Sequence, residues 1–179
     1  VTVSGGVDIS NRIFNPECDC SAAENLYALN CLGGSVILSG MSENSLQADA
    51  GYSDMFDALK NGSSVDVSSC PDSAPVLMAL AAYFGKGHLS GTKRLKYKES
   101  DRANAMAEEL KKLGADVQVH EDSVIVSCCR PLRSGITLDS HSDHRIAMSL
   151  AVLLTSLGGE IDNAEAVNKS YPDFWNDLL

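Results

Sequence analysis

Two blocks of this chain are apolar with no polar face to spare. Ala74 to Phe84 is an unbroken eleven-residue run, counting its Pro, Tyr and Phe. Ile146, Ala147, Met148, Leu150, Ala151, Val152, Leu153, Leu154 and Leu157 fill a second block almost as completely. At helical pitch, such segments predict helices buried on most sides. The stretch from about Lys98 to Leu113 is amphipathic instead. Ala103, Met106, Ala107, Leu110 and Leu113 form a stripe, with Glu108, Glu109, Lys111 and Lys112 read as a wet face. Gly114 ends that helix. Asp116–Val119 and Ser123–Val126 then alternate around His120-Glu121-Asp122, which predicts a β-hairpin. Val1-Thr2-Val3 reads as a strand end, and residues 1–16 as a connector leading to a domain over 17–179.

The apolar blocks belong to a repeat. DCSAAENLYALNCLGGSVILSG from Asp19, DSAPVLMALAAYFGKGHLSG from Asp72 and DHRIAMSLAVLLTSLGGEIDNA from Asp143 share one order: Asp, a small and apolar helix, glycine, a short strand. Each leads to a second acidic helix start, at Asp49, Asp101 and Asp173. The separations are 49 − 19 = 30, 101 − 72 = 29 and 173 − 143 = 30. Asp19, Asp72 and Asp143 are expected to cap their helices. Gly33–Gly34, Gly85 and Gly158–Gly159 are expected to supply left-handed turns after them. The pattern predicts an α/β domain of three related units, with helices 19–32, 72–85 and 143–157 at its centre.

Charge narrows the partners. The 179 residues carry 14 Lys and Arg against 24 Asp and Glu, a net −10, which disfavours nucleic acid and anionic membranes. No apolar run approaches the roughly 18 residues that a spanning helix needs. Six cysteines, at 18, 20, 31, 70, 128 and 129, lack paired C-x-x-C spacing and read as free thiols in a reducing cytoplasm, with no metal site. The chain opens on Val1 without a leader pattern and reads as an internal portion of a longer protein.

Against this acidic background, bases cluster where helices start. Lys98 and Arg102 are read as opening KESDRANAMAEEL, Arg145 falls in the first turn of DHRIAMSL, and Lys169 precedes SYPDFW. The positive end of a helix dipole disfavours cations there. Each base alone could pair with Glu99, Asp101, Asp143 or Asp173 on a solvated surface. Their recurrence at equivalent places in the repeat points to a phosphate or carboxylate site. Asp72 reads either as a cap or as a base, and His144 either as structural or as a proton-exchanging group. His88, His120 and His141 are assigned to strand, turn and loop.

KESDR (98–102), SDHRIAM (142–148), NKSYPDF (168–174), CPDSAP (70–75) and NSLQAD (44–49) together strongly resemble the 5-enolpyruvylshikimate-3-phosphate (EPSP) synthase family, in order, from about residue 17 to the end. The resemblance implies a C-terminal portion of an enzyme about twice this length or more. It implies an inside-out α/β domain of three helix–strand units, helices inside and sheets outside. The reaction implied transfers the enolpyruvyl group of phosphoenolpyruvate to the 5-hydroxyl of shikimate 3-phosphate by addition and elimination, with no cofactor. The full-length protein would be a cytoplasmic monomer, and this portion alone would be inactive.

By motif, Asp72 resembles the acid that binds the shikimate hydroxyls and acts as base at the 5-hydroxyl. Lys98 resembles a substrate-binding lysine, Arg102 and Arg145 the arginines that grip phosphoenolpyruvate, and His144 their support. Glu99 and Lys169 resemble the family's candidates for the proton steps. Departures from the family pattern include Lys93-Arg94, where many members carry Asn, and NGSSVDVSSC, read as a shortened hairpin. Cys18 and Cys20 also depart, flanking Asp19 where a Gly and a small or aromatic residue are usual. The family's other binding groups and the domain's first strand are expected in the missing N-terminal part. A UDP-N-acetylglucosamine enolpyruvyl transferase and a non-catalytic anion-binding module are the rival readings.

Overall fold

The computed structural model describes residues 1–6, 10, 13, 15–42, 44–129 and 131–179. Six α-helices are defined: α1 (Cys20–Tyr27), α2 (Tyr52–Lys60), α3 (Ala74–Phe84), α4 (Arg102–Lys112), α5 (His144–Leu157) and α6 (Phe174–Leu178). Short 3-10 turns at Ala28–Leu32, Ala48–Gly51, Pro71–Ser73, Lys93–Tyr97 and Ala164–Lys169 join them. Strands β1 (Ser64–Asp66), β2 (Lys86–Ser90), β3 (Asp116–Val119) and β4 (Ser123–Ser127) form a sheet in the order β1-β2-β4-β3. β5 (Ile136–Asp139) and β6 (Gly159–Asp162) pair in parallel as a second sheet. Neither sheet closes on itself, and the chain is a mixed α/β domain.

α3 and α5 pack on each other at the centre. Every residue of α3 from Ala74 to Ala82 and every residue of α5 from His144 to Leu154 is buried. Their sequences demand this, because a helix apolar all round has no face to give to water. The four-stranded sheet lies outside them and obeys the two-residue period of a strand. Leu89, Val117, Val124 and Val126 point inward and are buried, while Ile125 on the opposite face is 38% exposed. The hairpin forms in the expected register, Val119 opposite Val124, closed by His120 N–H donating to the Ser123 carbonyl at 2.8 Å. α1 is half-buried, and its continuation Ala28–Leu32 touches both central helices. Among the described residues no helix is long and apolar enough to cross a membrane.

Several local expectations are corrected. Asp19 and Asp143 cap α1 and α5 as expected, but Asp72 does not cap α3. It sits inside the Pro71–Ser73 turn, one residue too early, with its carboxylate turned to other partners. Lys98 does not open α4. The helix starts at Arg102 behind the cap Asp101, and Lys98 ends the preceding 3-10 turn in extended conformation. Gly33 and Gly85 adopt the left-handed conformation, but Gly158 at φ 69°, ψ 153° leaves its helix by a different, extended path. A strand follows Gly85 and Gly158, whereas residues 35–39 after the first helix form none. Val1–Val3 is exposed and outside any strand, and much of the expected connector 1–16 lies outside the described residues. NGSSVDVSSC forms the single strand β1, parallel to β2, and no hairpin. Glu109, read as wet, is fully buried for reasons given below.

Because α3 and α5 carry the core, truncating Leu150 (0% exposed) to Ala should cost about 2–5 kcal/mol of unfolding free energy. Leu157→Ala, at the half-exposed end of the same helix, should cost clearly less. Urea denaturation of the two variants measures this, and equal losses would contradict a centre built on these helices.

Candidate active site

Arg102, the first residue of α4, is the centre of the polar cluster. It is 1% exposed, yet its guanidinium is held on three sides by carboxylates. Nε donates to Asp143 Oδ2 at 2.8 Å, Nη1 to Asp72 Oδ1 at 2.6 Å, and Nη2 to Glu99 Oε2 at 2.8 Å and Asp143 Oδ1 at 3.2 Å. A cation at a helix start is disfavoured by the dipole, and here the acids offset that. Asp143 is itself wholly buried, caps α5 by accepting from Arg145 N–H at 2.9 Å, and also accepts from Ser100 Oγ at 3.0 Å. Lys98 Nζ lies 2.9 Å from Asp72 Oδ1, and Lys169 Nζ 2.7 Å from Glu99 Oε1. The pairing of bases with acids is therefore real and cross-links separate segments, buried at Arg102–Asp143 and partly exposed at Lys98–Asp72 and Lys169–Glu99.

Arg145, second in α5, is treated differently. Among the described residues no carboxylate lies in ion-pair contact with it. Its Nη1 donates to the Ser21 carbonyl and its Nη2 to Ser21 Oγ at 2.6 Å, while Nε is buried without a partner. Ser21 is fixed in turn by Asp19, whose Oδ1 accepts its N–H at 3.0 Å and its hydroxyl at 2.9 Å. His144 is 6% exposed, its Nδ1 buried without a hydrogen bond and 3.9 Å from Asp143 Oδ1. Burial and the neighbouring Arg145 hold its pKa below the usual value, so the ring is neutral at pH 7.

The acids are tuned by these contacts. Burial works to raise the Asp72 pKa, but the bond from Lys98 and the charge of Arg102 outweigh it and hold it below the usual range. Glu99 is pulled down to about 2, first by the bond from Lys169 and, against some burial, by Arg102. In direct ion contact the cluster holds Asp72, Glu99 and Asp143 against Lys98, Arg102 and Lys169, three against three. Arg145 is left as an unneutralised cation beside them.

The structure thus brings Asp72, Lys98, Glu99, Arg102, His144, Arg145 and Lys169 together from four separate segments. Three residues not singled out by the pattern also belong here. Ser21, Glu24 and Asn25, spaced i, i+3, i+4, are buried on one face of α1, and that polar face inside an otherwise apolar repeat was the available signal. Asn25 donates to the Ser21 carbonyl at 3.1 Å and accepts from Ser149 Oγ at 3.3 Å. Asp49 lies half-buried, its pKa raised by burial and by Asp72.

Away from this face, Glu109 accepts Lys112 Nζ on both oxygens at 2.8 Å, the Asp139 N–H at 2.9 Å and a 2.9 Å contact from His141 Nε2. That explains its burial and gives His141 a structural partner. Glu108, Glu109 and His141 have metal-ligand proximity, but Glu109 is already satisfied by these bonds. A separate, mostly apolar cavity of about 580 Å³ lies near Trp175 and Leu178; Glu160 is on its wall, and none of the charged residues of the Arg102 cluster line it.

Fold and site together define a mixed α/β domain in which Lys98, Arg102, Arg145 and Lys169 gather around Asp72, Glu99 and Asp143. The chain belongs to the EPSP synthase (3-phosphoshikimate 1-carboxyvinyltransferase) family, whose model matches residues 35–178. It is 36% identical over 197 aligned residues to a 3-phosphoshikimate 1-carboxyvinyltransferase of Methanoculleus marisnigri, covering 98% of this chain and 46% of that protein. A namesake from Clostridium perfringens is 40% identical over 145 residues, 79% of this chain and 34% of the relative. An EPSP synthase structure from Acinetobacter baumannii superposes with a TM-score of 0.73 at 24% identity, over 90% of this chain and 45% of that one, a likeness of fold. The chain thus spans less than half the length of these relatives.

A carboxylate whose folded pKa is depressed stabilises the fold above its unfolded value, and that contribution is lost as pH falls through the folded value. Glu99, at about 2 against an ordinary 4.5, should make thermal stability fall progressively from about pH 5 towards pH 2. Glu99→Gln should flatten that acid slope, and 0.5 M salt should weaken it, since Lys169 is 59% exposed. A slope unchanged by the substitution would mean the pair contributes nothing to stability.

Proposed function

We propose that this chain is the C-terminal portion of an enzyme that transfers the enolpyruvyl group of phosphoenolpyruvate to the 5-hydroxyl of shikimate 3-phosphate and releases phosphate. The observation that carries the proposal is the convergence of Asp72, Lys98, Arg102, Arg145 and Lys169 on one face from segments up to about a hundred residues apart, in a chain of this family. The domain, over residues 17–179, is read as three helix–strand units around a pseudo-threefold axis, helices inside, with 1–16 a connector. The burial of α3 and α5 and the outer position of the sheets support that reading.

In the addition step the 5-hydroxyl oxygen bonds to C2 of phosphoenolpyruvate while its proton passes to Asp72, and the methylene carbon C3 takes a proton. Lys169 and Glu99, paired at 2.7 Å, stand together as the donor and acceptor set for that carbon. In the elimination step the C2–O bond to phosphate breaks and C3 gives up a proton, which restores the double bond. Arg145 and Arg102 grip the carboxylate and phosphate, and a guanidinium meets either in bidentate fashion. Lys98, whose Nζ is 2.9 Å from Asp72 Oδ1, serves both substrates. Neutral His144 adds no cation of its own and buttresses Arg145. The opposing wall of the site belongs to the rest of the longer protein, which we place with this chain in the cytoplasm as a monomer.

Enclosing both substrates between two walls excludes water and strengthens these charge interactions, so half a site should not turn over. The 179-residue chain alone should release no phosphate from the two substrates, whereas the longer protein should. There, Asp72→Asn should lower kcat about 10²–10⁴-fold with a smaller effect on KM. Phosphate release by the chain alone, or unchanged turnover in the Asp72 variant, would refute the assignment.

Binding should survive where catalysis does not. Each charge-assisted hydrogen bond contributes on the order of 1.5–3 kcal/mol before ordering costs, so phosphoenolpyruvate should bind the open face in roughly the millimolar range. In an NMR titration, amides of residues 98–103 and 143–147 should shift and saturate, less so in high salt, and stay still in Arg145→Ala. Small uniform shifts over the whole surface, unaltered by that substitution, would reduce the arginines to ordinary surface charges.

A further inference from the structure

Glu24 has no role in the chemistry above, yet it is one of the most completely buried ionisable groups in the chain. It lies in the middle of α1 at 0% exposure, with no cation in ion-pair contact among the described residues. Its Oε2 accepts from Ser73 Oγ at 2.6 Å, and its Oε1 is buried without any partner. One neutral hydrogen bond does not compensate a buried carboxylate charge, so the group holds its proton. Burial pushes its pKa well above the ordinary carboxylate range. Ser73 and Arg145 oppose the shift while Asp49 and Asp72 add to it, and Tyr52 and Cys70 also face the group.

The partner of Glu24 matters because of its place in the chain. Ser73 directly follows Asp72 in the Pro71–Ser73 turn, and both Pro71 and Ser73 are buried. Pro71 restricts the backbone on one side of Asp72. The Ser73–Glu24 bond ties down the other side, across 49 residues of sequence. Between these two anchors, Asp72 projects its carboxylate to Lys98 and Arg102. An ionised group at position 24 would set a further negative charge behind Asp72. A neutral acid gives the hydrogen bond without that charge.

We propose that Glu24, as a neutral acid, is a positioning residue for Asp72: through Ser73 it clamps the Pro71–Ser73 turn to α1 and holds the Asp72 carboxylate against Lys98 and Arg102. Its consequence for catalysis rests on the reading of Asp72 as the base, but the clamp itself can be tested without turnover.

Carbon-13 NMR of the side-chain carboxyls in the 179-residue chain, titrated with pH, reads both groups. Glu24 should keep its protonated shift up to neutral pH. The Asp72 midpoint should stay below its ordinary value in the wild type and in Glu24→Gln, whose amide can still hold Ser73. It should move up towards the ordinary value in Glu24→Ala and in Ser73→Ala, where the clamp is cut. A merely structural role would lower the thermal midpoint of Glu24→Ala and leave the Asp72 midpoint where it was. Ser73→Ala makes the same cut with a smaller cavity and decides the matter if Glu24→Ala does not fold. Thermal stability gives a second reading. A folded state that binds an extra proton loses stability as pH rises above the unfolded value, so Glu24→Gln should gain on the wild type as pH rises above about 5. An ionised Glu24 at neutral pH, or an unmoved Asp72 midpoint in a folded clamp variant, would overturn the proposal. If instead the midpoints move as expected while the longer protein fails to transfer enolpyruvyl groups, the clamp stands and the catalytic reading falls.

Discussion

The burial of one arginine organises the functional half of this domain. Arg102 is taken out of water at the start of a helix, where the backbone dipole also opposes it. Such a charge is tolerated only if it is paired and hydrogen-bonded on most of its donors. Asp72, Glu99 and Asp143 supply that pairing from three places in the chain. Each of those acids is then committed in position, and each brings a further element with it. Asp143 fixes the start of α5, Asp72 the turn before α3, and Glu99 the approach of Lys169. Removing any one acid would leave part of a buried charge uncompensated, so the arrangement is stiff in the absence of ligand.

That stiffness rests on an apolar foundation. α3 and α5 are buried on all sides and cannot slide without exposing Leu, Ile and Met side chains. Asp72 and Arg145 sit at or next to the N-terminal ends of these two helices, so their main-chain positions are set by core packing. α1 completes the support by a polar face rather than an apolar one. Ser21 and Asn25 bind the α5 side, and Glu24 binds Ser73 beside Asp72. A hydrogen-bonded polar seam of this kind specifies the alignment of helices more narrowly than interchangeable aliphatic contacts do, even with Glu24 Oε1 and Arg145 Nε left without partners.

In the unliganded domain the cations hold the site's own carboxylates, and Arg145 remains unpaired by any acid. The internal pairs keep these groups ordered. The same pairs hold the Asp72 and Glu99 carboxyls below the ordinary carboxylate range.

Much of this was legible in the one-dimensional pattern. Helices apolar all round had to be central, because no other place satisfies them. The near-equal spacing of Asp19, Asp72 and Asp143 from their following acidic starts suggested a repeat, and the bases at 98, 102, 145 and 169 are among the residues that the fold gathers into one polar cluster. What the pattern could not decide were questions of which atom meets which. Asp72 and Asp143 look alike in sequence, each heading an apolar helix. Only the fold makes Asp143 both a cap and a buried partner of Arg102, and moves Asp72 off the cap towards Lys98. Glu109 stood on the charged side of its helix until β5 and the His141 loop closed over it, and Glu24 was one acid among many until burial removed its solvent. Periodicity reports which face of an element is apolar. The fate of a polar residue depends on contacts made tens of residues away, and those exist only once the chain has folded.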